Sequence, residues 1–145
     1  MTAQHAAATP REVFERIQGM ILDRQLDAYA SVFAADGIFE APFAPSGVPR
    51  RIQGREQIRA FFAAAQEQVQ TVSRRWEFRN VVVHETADPE VIVTEFDVHG
   101  ELPNSGEPYQ FANLQVLTVR DGELVHLRDY WNPLDRPELA ALTER

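Results

Sequence analysis

Between Val13 and Phe33 the apolar side chains return every three or four residues: Val13, Phe14, Ile17, Met20 and Ile21 make one stripe, and Leu26, Tyr29, Ala30 and Phe33 a second. Thr9-Pro10-Arg11-Glu12, just ahead of the first stripe, reads as a capping box with proline at the first helical position. Two consecutive helices are predicted, the second halted by Gly37. A short strand over 38–41 ends at Pro42, and 42–49, with three prolines and a glycine, reads as an irregular loop. After Gly54, the positions Ile58, Phe61, Phe62, Ala65 and Val69 predict a third amphipathic helix.

From Val72 onward the period drops to two, with strands predicted at 76–85, 91–102, 109–120 and 123–131. Turn residues separate them: Asp88-Pro89, Pro103-Asn104-Ser105-Gly106 and Asp121-Gly122. Three helices followed by a meander of strands describe an α+β fold, in which a curved antiparallel sheet is wrapped by the N-terminal helices into a cone with an internal pocket. Residues 1–9 are expected to form a flexible tail and 10–145 one domain.

Composition narrows the chemistry. The 145 residues are 44% hydrophobic and 25% charged, as in globular chains. The net charge of −8 opposes nucleic acid and anionic membrane surfaces, which need clustered positive charge. Without cysteine there is no disulfide, thiolate nucleophile or sulfur-ligated metal, and all 14 basic residues are arginine, which removes Schiff-base chemistry. His5, His84, His99 and His126 lack the spacing of a metal site, so no metal is expected. No signal-like segment or membrane-length apolar run occurs, and a cytoplasmic protein is expected.

The last strand carries the most informative side chain. On alternate positions Val125, Leu127, Asp129 and Trp131 share one face, and Leu124, His126, Arg128 and Tyr130 the other. A three-residue turn with left-handed Gly122 sets Asn113 opposite Asp129, whereas a two-residue Asp-Gly turn sets Leu114 there. In either case Asp129 is a carboxylate on an apolar face. Such a group takes up a proton, finds a partner such as an arginine or a backbone group, or serves a ligand. Trp76, Trp131, Phe39, Phe43, Tyr29 and Leu127 are candidate walls for a small hydrophobic or aromatic substrate. Glu95, Asp97 and His99 alternate with Thr94, Phe96 and Val98, placing the charged side toward solvent or an interface.

Together Phe33-Ala34-Ala35-Asp36-Gly37-Ile38-Phe39-Glu40-Ala41-Pro42, Gly54-Arg55-Glu56-Gln57-Ile58-Arg59, Asp121-Gly122-Glu123-Leu124 and Arg128-Asp129-Tyr130-Trp131-Asn132-Pro133 resemble the NTF2-like superfamily. The likeness is to its SnoaL-like and ketosteroid-isomerase-like branch, a cystatin-like cone. Trp76-Glu77, Asn80-Val81, Glu85-Thr86-Ala87-Asp88-Pro89, Glu95 with Asp97, and Arg128-Asp129 with Asn132-Pro133 are most similar to phenazine-biosynthesis A/B proteins. Where ketosteroid isomerases place a helix-1 tyrosine, a base before the proline and a second acid, this chain has Ile17, Ala41 and, depending on the hairpin gap, Gln115. The resemblance therefore argues against the steroid isomerase reaction and keeps Asp129, which matches a glutamate in the phenazine proteins and an aspartate in SnoaL-like cyclases. The histidine and serine of the phenazine proteins' third helix have no counterpart in 54–69.

These readings point to a cofactor-independent isomerase, cyclase or condensation helper. Asp129 would move a proton on a ketone, enol or polycyclic acid, and Asn113 and Gln115 would orient or hydrogen-bond the developing oxyanion. The alternative is a non-catalytic ligand-binding or dimerisation module using the same pocket. An epoxide hydrolase needs an arginine beside the carboxylates, and by parity Arg128 faces away from Asp129. The face with Leu114, Val116, His126, Arg128 and Tyr130 mixes apolar and charged groups and predicts a homodimer.

Overall fold

Thr9 caps the first helix as its sequence requires: its hydroxyl accepts from the Glu12 amide at 3.2 Å, and its own amide donates to the Glu12 carboxylate at 2.9 Å. A computed structural model describes residues 6–72, 76–101 and 105–132, with only the backbone given for 66–72 and Trp76. Helix α1 spans Pro10–Leu22, α2 Leu26–Val32 and α3 Arg55–Val72. The strands are β1 (Phe33–Glu40), β2 (Arg51–Gln53), β3 (Trp76–Glu85), β4 (Val91–Glu101), β5 (Pro108–Arg120) and β6 (Glu123–Trp131).

The six strands form one curved sheet in the order β2-β1-β6-β5-β4-β3. It is antiparallel except where β1 runs parallel to β6. The helices cover the face that carries Phe96, Val98, Phe111, Leu117 and Leu127, all buried. Phe14 of α1 meets Phe96 of β4 with ring centroids 5.8 Å apart, and Phe62 of α3 stands edge-on to Phe39 of β1 at 5.6 Å. Arg59 joins α3 to α2 by donating to the Asp27 carboxylate at 2.8 Å and to the Ser31 hydroxyl at 3.2 Å.

Two local expectations are corrected. The first strand begins at Phe33, not at residue 38, and the short strand β2 lies where a loop leads into α3. Phe33 turns extended because it pairs with Leu124 of β6, a partner 91 residues along the chain that local periodicity does not contain. Gly37 therefore lies inside a strand instead of ending a helix. A Cβ there would sit 3.0 Å from the carbonyl oxygens of both Ala34 and Leu124, so glycine is kept by close backbone approach.

The β5–β6 hairpin follows neither predicted register. Asp121 and Gly122, with φ of 53° and 80°, form a two-residue turn that pairs Arg120 with Glu123 and Val119 with Leu124. The pairing then slips by one residue at Val125, so that Thr118 meets His126, Gln115 meets Asp129 and Asn113 meets Trp131. This bulge moves Leu124 to the buried face and Val125 away from it, reversing the parity predicted for both. Beyond it, Leu127, Asp129 and Trp131 share the face of Asn113 and Gln115, as the odd-numbered spacing required.

Candidate active site

Between the helices and the sheet lies a cavity of about 190 Å³. Its helical wall is Ile17, Gln18, Ile21, Leu26, Tyr29, Phe61, Phe62 and Ala65; its sheet wall includes Phe39, Phe78, Phe96, Val98, Phe111, Asn113, Gln115, Asp129 and Trp131. The proline-rich segment supplies the remainder. Ala41 donates its amide to the Arg50 carbonyl at 2.8 Å, Arg50 Nε donates to the Ala44 carbonyl at 3.0 Å, and the closed loop sets Val48 and Pro49 against the cavity.

Asp129 is the only acidic or basic side chain among the described residues lining this space. It is held from a neighbouring strand: Asn113 Nδ2 donates to Asp129 Oδ1 at 2.5 Å and also approaches the Tyr130 carbonyl at 3.4 Å. Asn113, 7% exposed, thus spends its donor nitrogen on the carboxylate and a backbone group. Asn113 contacts the carboxylate itself from the neighbouring strand. Gln115, 6% exposed, lies directly across from Asp129.

Tyr29 adds a polar group where the sequence suggested only a wall. Its ring stacks on Phe62 at 4.6 Å and tilts against Phe33 at 5.8 Å. Burial pushes its phenol well above the usual value near 10, and the negative charge of Asp129 pushes it further in the same direction. Tyr29 therefore stays a neutral O–H donor across the physiological range. Among the described residues neither the Tyr29 hydroxyl nor the Gln115 amide has a hydrogen-bond partner. The Gln18 side-chain nitrogen is also buried without one.

The other expected residues divide. Trp131, Phe39 and Tyr29 line the cavity together with Asp129, Asn113 and Gln115. Leu127 is fully buried in the core and does not line the cavity, a correction that follows from its packing against the rest of the apolar cluster. Phe43 is corrected too: it is 60% exposed, and its ring lies 5.3 Å from Tyr130, beside an open depression instead of in the enclosed space. The Trp76 side chain lies outside what the structure describes, and its backbone starts β3 opposite Gly100. Ile17, Ala41 and Gln115, where the resemblance sets the isomerase's own acids and tyrosine, all line the cavity.

The outer sheet face carries its own pairs. His84 meets Glu95 at 2.7 Å, Asn80 donates to Asp97 at 2.7 Å, and His126 of β6 pairs with Glu40 of β1. Arg128 is exposed there, its guanidinium 5.4 Å from the Tyr130 ring centre, and so is on the opposite side from Asp129. Gln18 was missed in the sequence, although a signal exists: it lies four residues after Phe14 and three before Ile21, a polar residue within an apolar stripe.

Comparison with known proteins agrees with this architecture. The uncharacterised YesE protein of Bacillus subtilis is 30% identical over 123 residues, covering 85% of this chain and 81% of its own. An uncharacterised PhzA/B-like protein of Pseudomonas aeruginosa is 37% identical over 106 residues, covering 73% and 72% respectively. A solved Bacillus subtilis structure provisionally described as an isomerase superposes with a TM-score of 0.77 at 26% identity, covering 91% of this chain and 92% of that one. The SnoaL-like domain family matches residues 11–127, and the chain belongs to that family, within the NTF2-like fold.

Proposed function

We propose that this chain is a cofactor-independent acid–base enzyme of the isomerase or cyclase type, acting on a small ring ketone or enol. Asp129 removes a proton from the carbon beside a carbonyl, and the C–H electron pair moves to the carbonyl oxygen as an enolate forms. Return of that proton to another carbon isomerises the substrate; attack of the enolate carbon on a second carbonyl closes a ring. Asn113 holds the carboxylate in place, while the Gln115 amide and the neutral Tyr29 hydroxyl donate to the developing oxyanion. The carrying observation is one oriented carboxylate facing partnerless neutral donors in an otherwise apolar cavity. The isomerase and polyketide-cyclase descriptions of structural neighbours support the reaction class.

Proton exchange tests this directly. With 2-tetralone in deuterated buffer, the protein should accelerate exchange of the protons beside the carbonyl, and Asp129→Asn should remove that acceleration. Saturable binding of the ketone with no exchange would instead make the chain a ligand-binding module.

The outer sheet face is the proposed contact with a second copy of the chain. Half-buried Leu114 and Val116 lie there beside His126, Arg128 and Tyr130. Sedimentation at micromolar concentration should give a dimer, and a monomer would contradict this surface.

A further inference from the structure

Thr94 of β4 is fully buried, at 0% exposure, and its hydroxyl has no hydrogen-bond partner among the described residues. Burying an unpaired hydroxyl costs free energy that valine, of nearly the same shape, would not incur. A polar group kept at such a place points to a use for it.

Its neighbours narrow that use. In the sheet Thr94 lies between Val83 of β3 and Gln115 of β5, and on its own strand the buried Ile92 and Phe96 share its face. Gln115 is therefore the one polar side chain directly beside it in the sheet, and the Cβ atoms of such a cross-strand pair lie about 4.5–5.5 Å apart. The diagonal neighbours on β5 are Leu117, which is apolar, and Asn113, whose side-chain nitrogen is engaged by Asp129. Gln115 lines the cavity and Thr94 does not, so the Gln115 side chain adjoins both the ligand space and the buried hydroxyl.

A carboxamide has a donor end and an acceptor end, whereas a hydroxyl rotates to suit its partner. Once a ligand oxygen takes the Gln115 nitrogen, the amide oxygen needs a donor behind it, and the Thr94 O–H is the group at hand. The chain O–H···O=C–N–H···O then runs in one direction, and each bond polarises the next. With valine at 94 the amide oxygen would have no donor there, and the amide would be free to turn that oxygen toward the developing negative charge.

We infer that Thr94 is a positioning residue that acts through Gln115: its hydroxyl donates to the Gln115 side-chain oxygen and holds the amide nitrogen toward the oxygen of the substrate. This rests on the proposed use of Gln115 as a donor to the oxyanion. A rotation about the Gln115 side-chain bonds closes the contact.

The test uses Thr94→Val and Thr94→Ser in the full chain, with catalysed proton exchange of 2-tetralone as the readout. Thr94→Val should keep or raise the melting temperature, since it removes an unpaired buried hydroxyl, yet lower kcat by about three- to tenfold with KM little changed. Thr94→Ser should restore most of kcat although it deletes a buried methyl group. In a Gln115→Leu background, Thr94→Val should bring no further loss. An unchanged kcat in Thr94→Val, or an equal loss with and without Gln115, overturns the inference. The contact is also read without turnover, from the Gln115 side-chain NH₂ signals in ¹⁵N-edited NMR with 2-tetralone present. They should move in Thr94→Val and return in Thr94→Ser, and signals that stay in place overturn the contact. Moving signals in a protein that catalyses no exchange would uphold the contact and defeat the proposed reaction alone.

Discussion

Asn113 donates its side-chain N–H to the Asp129 carboxylate across 2.5 Å, although the residue paired with Asn113 in the sheet is Trp131 and the residue paired with Asp129 is Gln115. The contact is diagonal, two residues away from the directly paired position, and is charge-assisted in a partly buried place. Asn113→Leu keeps the approximate volume and deletes the donor. It should lower turnover on a confirmed substrate by tenfold or more with a smaller change in KM, because the base loses its orientation while the walls remain. Stability should fall by about 1–3 kcal/mol, the usual cost of depriving a buried polar group of its partner. An unchanged kcat would show that Asn113 does not position the base.

Asp129→Asn removes the proton acceptor and leaves an oxygen that still accepts from Asn113. Catalysed exchange should drop by roughly 10²- to 10⁴-fold, the usual contribution of a general base. The circular dichroism spectrum and melting temperature should stay close to those of the parent. Full activity in this variant would transfer the role to another group.

Alkaline pH should expose the buried phenol. The folded chain holds Tyr29 protonated above the ordinary value near 10, while the unfolded chain releases the proton at about 10. Above that pH the unfolded state binds fewer protons than the folded one, so stability falls as pH rises toward the folded-state value; below it the contribution is fully present. Urea unfolding between pH 8 and 11 should show this decline, and Tyr29→Phe should flatten it. An equally steep decline in the variant would assign the effect to other groups.

Gly37→Ala should destabilise the fold by about 1–3 kcal/mol, the range for forcing extra volume into a packed site. The new methyl group would stand 3.0 Å from two backbone oxygens, of Ala34 and Leu124, neither of which can rotate away as a side chain would. Thermal unfolding measures this; an unchanged midpoint would mean that β1 and β6 separate easily.

The capping box is a local test. Thr9→Ala removes the hydroxyl that accepts from the Glu12 amide and should cost about 1 kcal/mol. Chemical denaturation should detect it, with no effect on ligand binding, since neither residue lines the cavity.

The starts of α1 and α3, the four long strands and the inward face of Asp129 were readable in the residue pattern, because capping, amphipathic stripes and alternation are set by neighbours within a few positions along the chain. Other features arose only when distant segments met. Phe33 became a strand because Leu124 offered it a pairing edge, and Gly37 was retained because two backbones converge on it. The bulge at Val125 put Gln115 opposite Asp129, a slip that the two-residue turn did not foretell. Asn113 as the carboxylate's holder, Leu127 as core and Tyr29 as a neutral donor likewise depended on packing between separate elements. Short-range order is written into nearby residues, whereas register, burial and the partners of a polar group are settled by which remote surfaces come together.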